Sequence, residues 1–242
     1  MSKSYKVVAL SAVAALFCSV MTAPAVMADP NEAESDVTIE FIVPDDTDVP
    51  TVVDPTDPSI TFPVTPGDRD PGDPDDPVTG FSGPLTLDFV SSLDFGTVAI
   101  SAQSQEYESL TLRPFVQVTD RRGTREGWAL TVSLSEFRDE EGETSLSGAV
   151  LNLENASLVT PGVGGDNTPE GLAGSIALDS NGTSANVTVA GEGTGAGTWL
   201  TRWLAPVGET PNPNVTLTVP GGAATVGDHE ATLTWILTNA PE

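Results

Sequence analysis

The sequence has 242 residues, with 35 aspartates and glutamates against nine lysines and arginines. A formal charge of −26 excludes electrostatic attraction to nucleic acid or to anionic lipid, because every approach is repulsive. One cysteine (Cys18) and one histidine (His229) give no disulfide framework and leave most metal and nucleophile chemistries without their residues, so neither a cofactor nor an enzyme is expected.

Residues 1–28 have the three parts of a secretory signal: Lys3 and Lys6, an apolar run over 7–20, and Val26-Met27-Ala28 before a cleavage point at Asp29. The apolar run is too short to cross about 30 Å of hydrocarbon, so export is expected rather than membrane insertion. Beyond that point seven arginines face 35 acids, hence a charge of −28, with no lysine and no cysteine. The segment 238–242 shows neither a hydrophobic tail nor an LPxTG sequence, so retention at a surface is expected to be non-covalent.

Residues 29–80 form an acidic segment rich in proline and aspartate. Asp54-Pro55-Thr56-Asp57-Pro58 and the Asp-Pro run at 70–77 favour neither helix nor inner strand, because proline lacks the N–H and the carboxylates repel. A disordered, extended spacer is the expectation. Its aspartates are separated by proline instead of being set at alternate positions around a glycine, so no calcium loop is expected. Within it, Val37-Thr38-Ile39-Glu40-Phe41-Ile42-Val43 alternates, which predicts one strand over 37–43 that adds to the sheet of the following domain.

From residue 81 to 242 the pattern is all-β. Strands are predicted over 85–90, 110–118, 128–137, 149–154, 184–190, 199–204, 215–219 and 231–238, separated by glycine-containing turns. About eight or more short strands with no sustained helical period imply a single β-sandwich or barrel-like domain.

Two strands carry the same short motif. Trp128-Ala129-Leu130 puts Trp128 and Leu130 on one face with Val132 and Leu134, and Trp235-Ile236-Leu237 puts Trp235 and Leu237 on one face with Leu233. Aliphatic neighbours on those faces favour core over contact for both tryptophans. The second motif lies in Leu233-Thr234-Trp235-Ile236-Leu237-Thr238-Asn239-Ala240-Pro241, and the domain opens with Gly83-Pro84-Leu85-Thr86-Leu87-Asp88-Phe89-Val90 and Leu93-Asp94-Phe95-Gly96. In these segments, over nearly all of 36–242, the chain resembles the WxL domain of Gram-positive surface proteins. It departs at His229, where the family pattern has tyrosine, so no role for a phenol carries over. The resemblance implies non-covalent attachment to the cell wall, ascribed to peptidoglycan, and assembly with a membrane-anchored WxL-interacting surface protein. It also admits host proteins as partners, with the wall then contacted only indirectly.

Trp199 and Trp203 share a face with Thr201, which fits either an aromatic surface platform or a buried apolar face, since periodicity does not separate the two. Arg121, Arg122 and Arg125 stand close together with Arg113 and Arg138, where planar guanidinium groups can take peptide-stem carboxylates or neutralise Asp120, Glu126 and Glu136. The acids Asp139, Glu140, Glu141 and Glu143 fall in a polar, glycine-containing turn, which suits a solvated loop better than a pair of catalytic carboxyls.

Overall fold

The computed structural model describes residues 35–62 and 79–239. Sixteen strands are present among them. In chain order these are β1 (Val52–Val53), β2 (Thr61–Phe62), β3 (Leu85–Val90), β4 (Gln105–Ser109), β5 (Phe115–Asp120), β6 (Trp128–Leu134), β7 (Phe137–Arg138) and β8 (Thr144–Ser145). There follow β9 (Val150–Glu154), β10 (Ser157–Val159), β11 (Gly171–Leu172), β12 (Ser175–Asp179), β13 (Ala185–Ala190), β14 (Gly197–Arg202), β15 (Asn212–Val219) and β16 (Leu233–Thr238). The expected all-β fold is therefore present, and every ladder is antiparallel.

The strands divide into three four-stranded sheets with the orders β10-β14-β5-β3, β11-β13-β6-β16 and β12-β9-β15-β4, together with the two-stranded ribbons β1-β2 and β7-β8. Each sheet turns one apolar face inward, and the three faces share one core: Leu87, Val116 and Trp199 from the first, Trp128, Leu130 and Val187 from the second, Leu151, Leu178 and Val215 from the third. Burial of such side chains contributes roughly 25 cal/mol per Å2 of apolar surface, which is what holds a domain without a disulfide.

The first sheet is also covered on its outer face. Val52 and Val53 of β1 pack with Phe89, Phe115 and Leu200 in a second, smaller cluster, in which Phe89 and Phe115 stack at 4.3 Å. The β1-β2 ribbon closes through its Asp-Pro text. Asp54 Oδ1 accepts from the Thr56 and Asp57 N–H groups, and Asp57 Oδ1 from that of Ser59, so the carboxylates serve as turn caps. Residues 48–62 are thus a docked strap, which corrects the expectation of an open spacer over that stretch. The Asp-Pro run at 70–77 lies outside the described residues, as do residues 1–34.

The strand expected over 37–43 is not formed. Backbone contacts separate the chain between Phe41 and Ile42, residues 35–43 enter no ladder, and Phe41 is 85% exposed. Alternation supplies one apolar face but not a ladder partner.

Candidate functional site

The two motifs lie side by side. β6 and β16 pair antiparallel with Leu130 opposite Leu237, Val132 opposite Trp235 and Leu134 opposite Leu233, so both motifs present one face of one sheet. Their burial differs because β6 is an inner strand and β16 an edge. Trp128 is buried and its Nε1–H donates to the Gly195 carbonyl at 2.9 Å. Gly195 has a positive φ of 77°, and a Cβ there would stand 2.6 Å from Trp128 Nε1, so the glycine-rich stretch 191–197 is what lets the backbone close over this indole.

Trp235 and Leu237 are only half-buried, and Ile236 on the opposite face is 47% exposed. Trp235 packs against Trp203 at a centroid distance of 6.2 Å and an interplanar angle of 46°. With Leu93, Pro114, Phe115 and Leu233 the pair lines a shallow apolar cleft beside Ser91. The Trp203 Nε1–H is buried and has no acceptor among the described residues. The cleft therefore offers an indole face and aliphatic walls, a set suited to a ligand with an apolar face.

The aromatic platform does not stand. Trp199 and Trp203 are 3% and 2% exposed, and Thr201 between them is buried as well. Periodicity placed the three on one face but could not say that the face turns inward. The polar residue is accommodated because the Thr201 hydroxyl bonds that of Thr188 at 2.6 Å across two sheets, and Trp199 Nε1–H donates to the Ala196 carbonyl.

Nor are the arginines free as a group. Arg122 holds Asp120 at 2.7 Å and donates to the carbonyls of Gly127 and Asn239, which ties the β5–β6 turn to the end of β16. Hydrogen bonding to Asp120 raises the Arg122 guanidinium above its ordinary range, with the charges of Asp120 and Glu126 adding to it against burial. Arg121 grips Asp48 at 2.7 Å and the Asp48 and Gly83 carbonyls. Arg113 lies 3.7 Å from Asp54, and Arg202 donates to the Pro55 carbonyl. Three arginines thus pin the chain's own acidic strap. Arg125 is exposed, with no side-chain ion pair among the described residues. His229, in the family's tyrosine position, bonds the Ser145 hydroxyl and the Thr225 carbonyl, which sets Nε2 as the protonated nitrogen.

A polar cluster beneath the strap carries its own chemistry and was not foreseen from the sequence. Asp88 accepts from Thr86, Gln117 and Thr119 at 2.6 to 2.7 Å, and Gln117 also accepts from Val53 N–H and donates to the Thr51 carbonyl. The one available signal was an aspartate inside the apolar strand 85–90. Burial pushes the Asp88 carboxyl up to about 6, against the hydrogen bonds of Thr119, Thr86 and Gln117 and the charge of Arg121. An acid whose folded value is raised binds more protons when native, so its contribution to stability is full below the unfolded value of 3.8 and is lost as pH rises towards 6. Thermal unfolding of the wild type against Asp88→Asn between pH 7 and pH 4 is expected to show this component, up to about 3 kcal/mol, in the wild type alone.

No group of three metal-ligating side chains occurs among the described residues, and no helix there is long and apolar enough to cross a membrane. The domain is all-β, and its motif strand β16 is uncharged with Trp235 half-exposed. A family model of the WxL domain, described as surface cell wall-binding, matches residues 28–241, and the chain belongs to the WxL domain family. No curated protein and no solved structure matches it.

Proposed function

We propose that this is a secreted surface protein that holds the cell wall non-covalently by contacting peptidoglycan through the Trp203–Trp235 cleft. The observation that carries the reading is Trp235. It is the one tryptophan of the four in the sequence that is not buried, and it lies in the second motif of a wall-binding family. A glycan ring can stack its apolar face on the half-exposed Trp235 indole. Binding of this kind involves no charge attraction, which suits a chain that anionic wall polymers repel.

Co-sedimentation with peptidoglycan stripped of protein and teichoic acid tests it. The wild type is expected to pellet, and Trp235→Ala to lose at least about tenfold in affinity, the loss of a stacked ring and its neighbours being worth over 1.4 kcal/mol. Near-UV circular dichroism checks that the variant remains folded. A folded wild type that stays in the supernatant would overturn direct binding and favour docking on a membrane-anchored surface protein or a host protein.

A further inference from the structure

The strap is a separate piece of structure on a prepared seat. Among the described residues β1 pairs with β2 alone. The hairpin closes on itself: the Asp54 N–H donates to the Ile60 carbonyl, that of Ile60 to the Asp57 carbonyl, and the two aspartates cap its turn. Its seat is the outer face of the first sheet, where Phe89, Phe115 and Leu200 pack with Val52 and Val53, with the partly buried Val159 against them. Asp88 takes its hydrogen bonds from Thr86, Gln117 and Thr119, all of that sheet, so the Gln117 amide is positioned from within the sheet and not by the strap.

What the seat reads is an extended acidic chain. Gln117 Oε1 accepts from the Val53 N–H and Nε2 donates to the Thr51 carbonyl, both at 2.9 Å, so its contacts are with main chain. Arg202 takes the Pro55 carbonyl in the same way. Arg121 adds a carboxylate, Asp48 at 2.7 Å, and Arg113 lies 3.7 Å from Asp54. Three of the seven arginines beyond residue 28 therefore meet a segment that carries three aspartates. None of these contacts depends on which copy supplies the strap. We propose that copies of this chain exchange straps: residues 48–62 of one dock on the first sheet of a second, which returns its own strap to the first, in a two-fold dimer.

A second copy is the occupant because every copy carries the sequence that the seat holds. The strap leaves without opening the main core, since Val52 and Val53 belong to the smaller cluster and not to that of Trp128 and Leu130. Closed and exchanged forms make the same contacts, so these cancel and the balance falls to the chain connection. Residues 63–78 join the strap to Thr79 within one copy, and a joint of that length holds it at an effective concentration on the order of millimolar. The closed form prevails below that density, and exchange sets in as copies are crowded towards it.

Exchange goes beyond wall binding and does not rest on it. Two charge reversals in the chain from Asp29 read it out. Asp48→Arg and Arg121→Glu each set like charges against one another in a closed copy, whereas an exchanged pair of the two restores one native contact and one reversed contact. Each mismatched seat is expected to hold its strap about tenfold more weakly, so the mixture forms a heterodimer at about a hundredfold lower concentration than the wild type dimerises. Sedimentation velocity at about 50 μM is expected to show the dimer mass in the mixture and the monomer in each variant alone, all with the wild-type near-UV spectrum. Folded variants that stay monomeric when mixed, or that associate alone as strongly as together, would overturn the proposal. The wild type gives a measurement independent of both substitutions: small-angle scattering from about 10 μM to about 1 mM is expected to show its mass rising towards the dimer. A mass that stays at the monomer over that range overturns exchange as well. Trp235 is untouched throughout, so this outcome and that of wall binding are read separately.

Discussion

Trp128→Ala is expected to lose about 3–5 kcal/mol of stability, the largest effect of any single substitution of a tryptophan here. The ring is 1% exposed in the main core, to which Leu130, Val187 and Trp199 also belong. Truncation leaves a cavity in a close-packed interior and strips the Gly195 carbonyl of its donor. A small domain has roughly 5–15 kcal/mol in all, so the variant falls near the limit of folding. Urea unfolding followed by far-UV circular dichroism measures it. Trp128→Phe separates the causes, since it keeps most of the apolar contact and forfeits the hydrogen bond, for about 1–2 kcal/mol. Trp235→Ala, on the half-exposed edge strand, is expected to cost less than either cavity. If it proves as destabilising as Trp128→Ala, the division between a structural and a surface tryptophan is wrong.

That division was only half legible in the sequence. Alternation placed Trp128 and Trp235 in strands and put both with aliphatic neighbours, and the strands at 85–90 and 215–219 carry enough Leu, Val and Phe to be read directly. Periodicity does not say whether a strand is inner or edge, and this is what separates the two motifs. The same limit left Trp199 and Trp203 open between a platform and a buried face, and what decides it is a second threonine, Thr188, that arrives from another sheet. β4 was missed because Gln105-Glu106-Tyr107-Glu108-Ser109 is polar on both faces, as an edge strand paired with β15 alone is free to be. The stretch 110–114 was read as strand, but it leads into Pro114 and forms no ladder. The strap was read as spacer because its text is Asp and Pro; the information that it docks lies in Gln117, Arg121 and Arg202, remote in sequence and individually unremarkable.

Gln117→Leu is expected to release that strap. The side chain is fully buried, and its amide meets three groups at once: it accepts from Val53 N–H at 2.9 Å, donates to the Thr51 carbonyl at 2.9 Å, and donates to Asp88 Oδ2 at 2.7 Å. Leucine fills a similar volume but leaves a backbone donor, a backbone acceptor and a carboxylate short of a partner, at about 1–3 kcal/mol each when buried. The strap can avoid most of that cost by lifting off, which returns Thr51 and Val53 to water and exposes Phe89, Phe115 and Leu200. The expected result is local: amide exchange at Val53 speeds up by about two orders of magnitude, while amides of β6 in the main core keep their protection. Gln117→Glu sharpens the test, because the new carboxyl stands beside Asp88, whose own value is already raised to about 6. Two carboxylates in one buried site share a proton in preference to ionising together. Release of the strap in this variant is therefore expected to be greatest at neutral pH and to recede on acidification. In Gln117→Leu, which adds no charge, only the smaller component belonging to Asp88 is expected to change with pH.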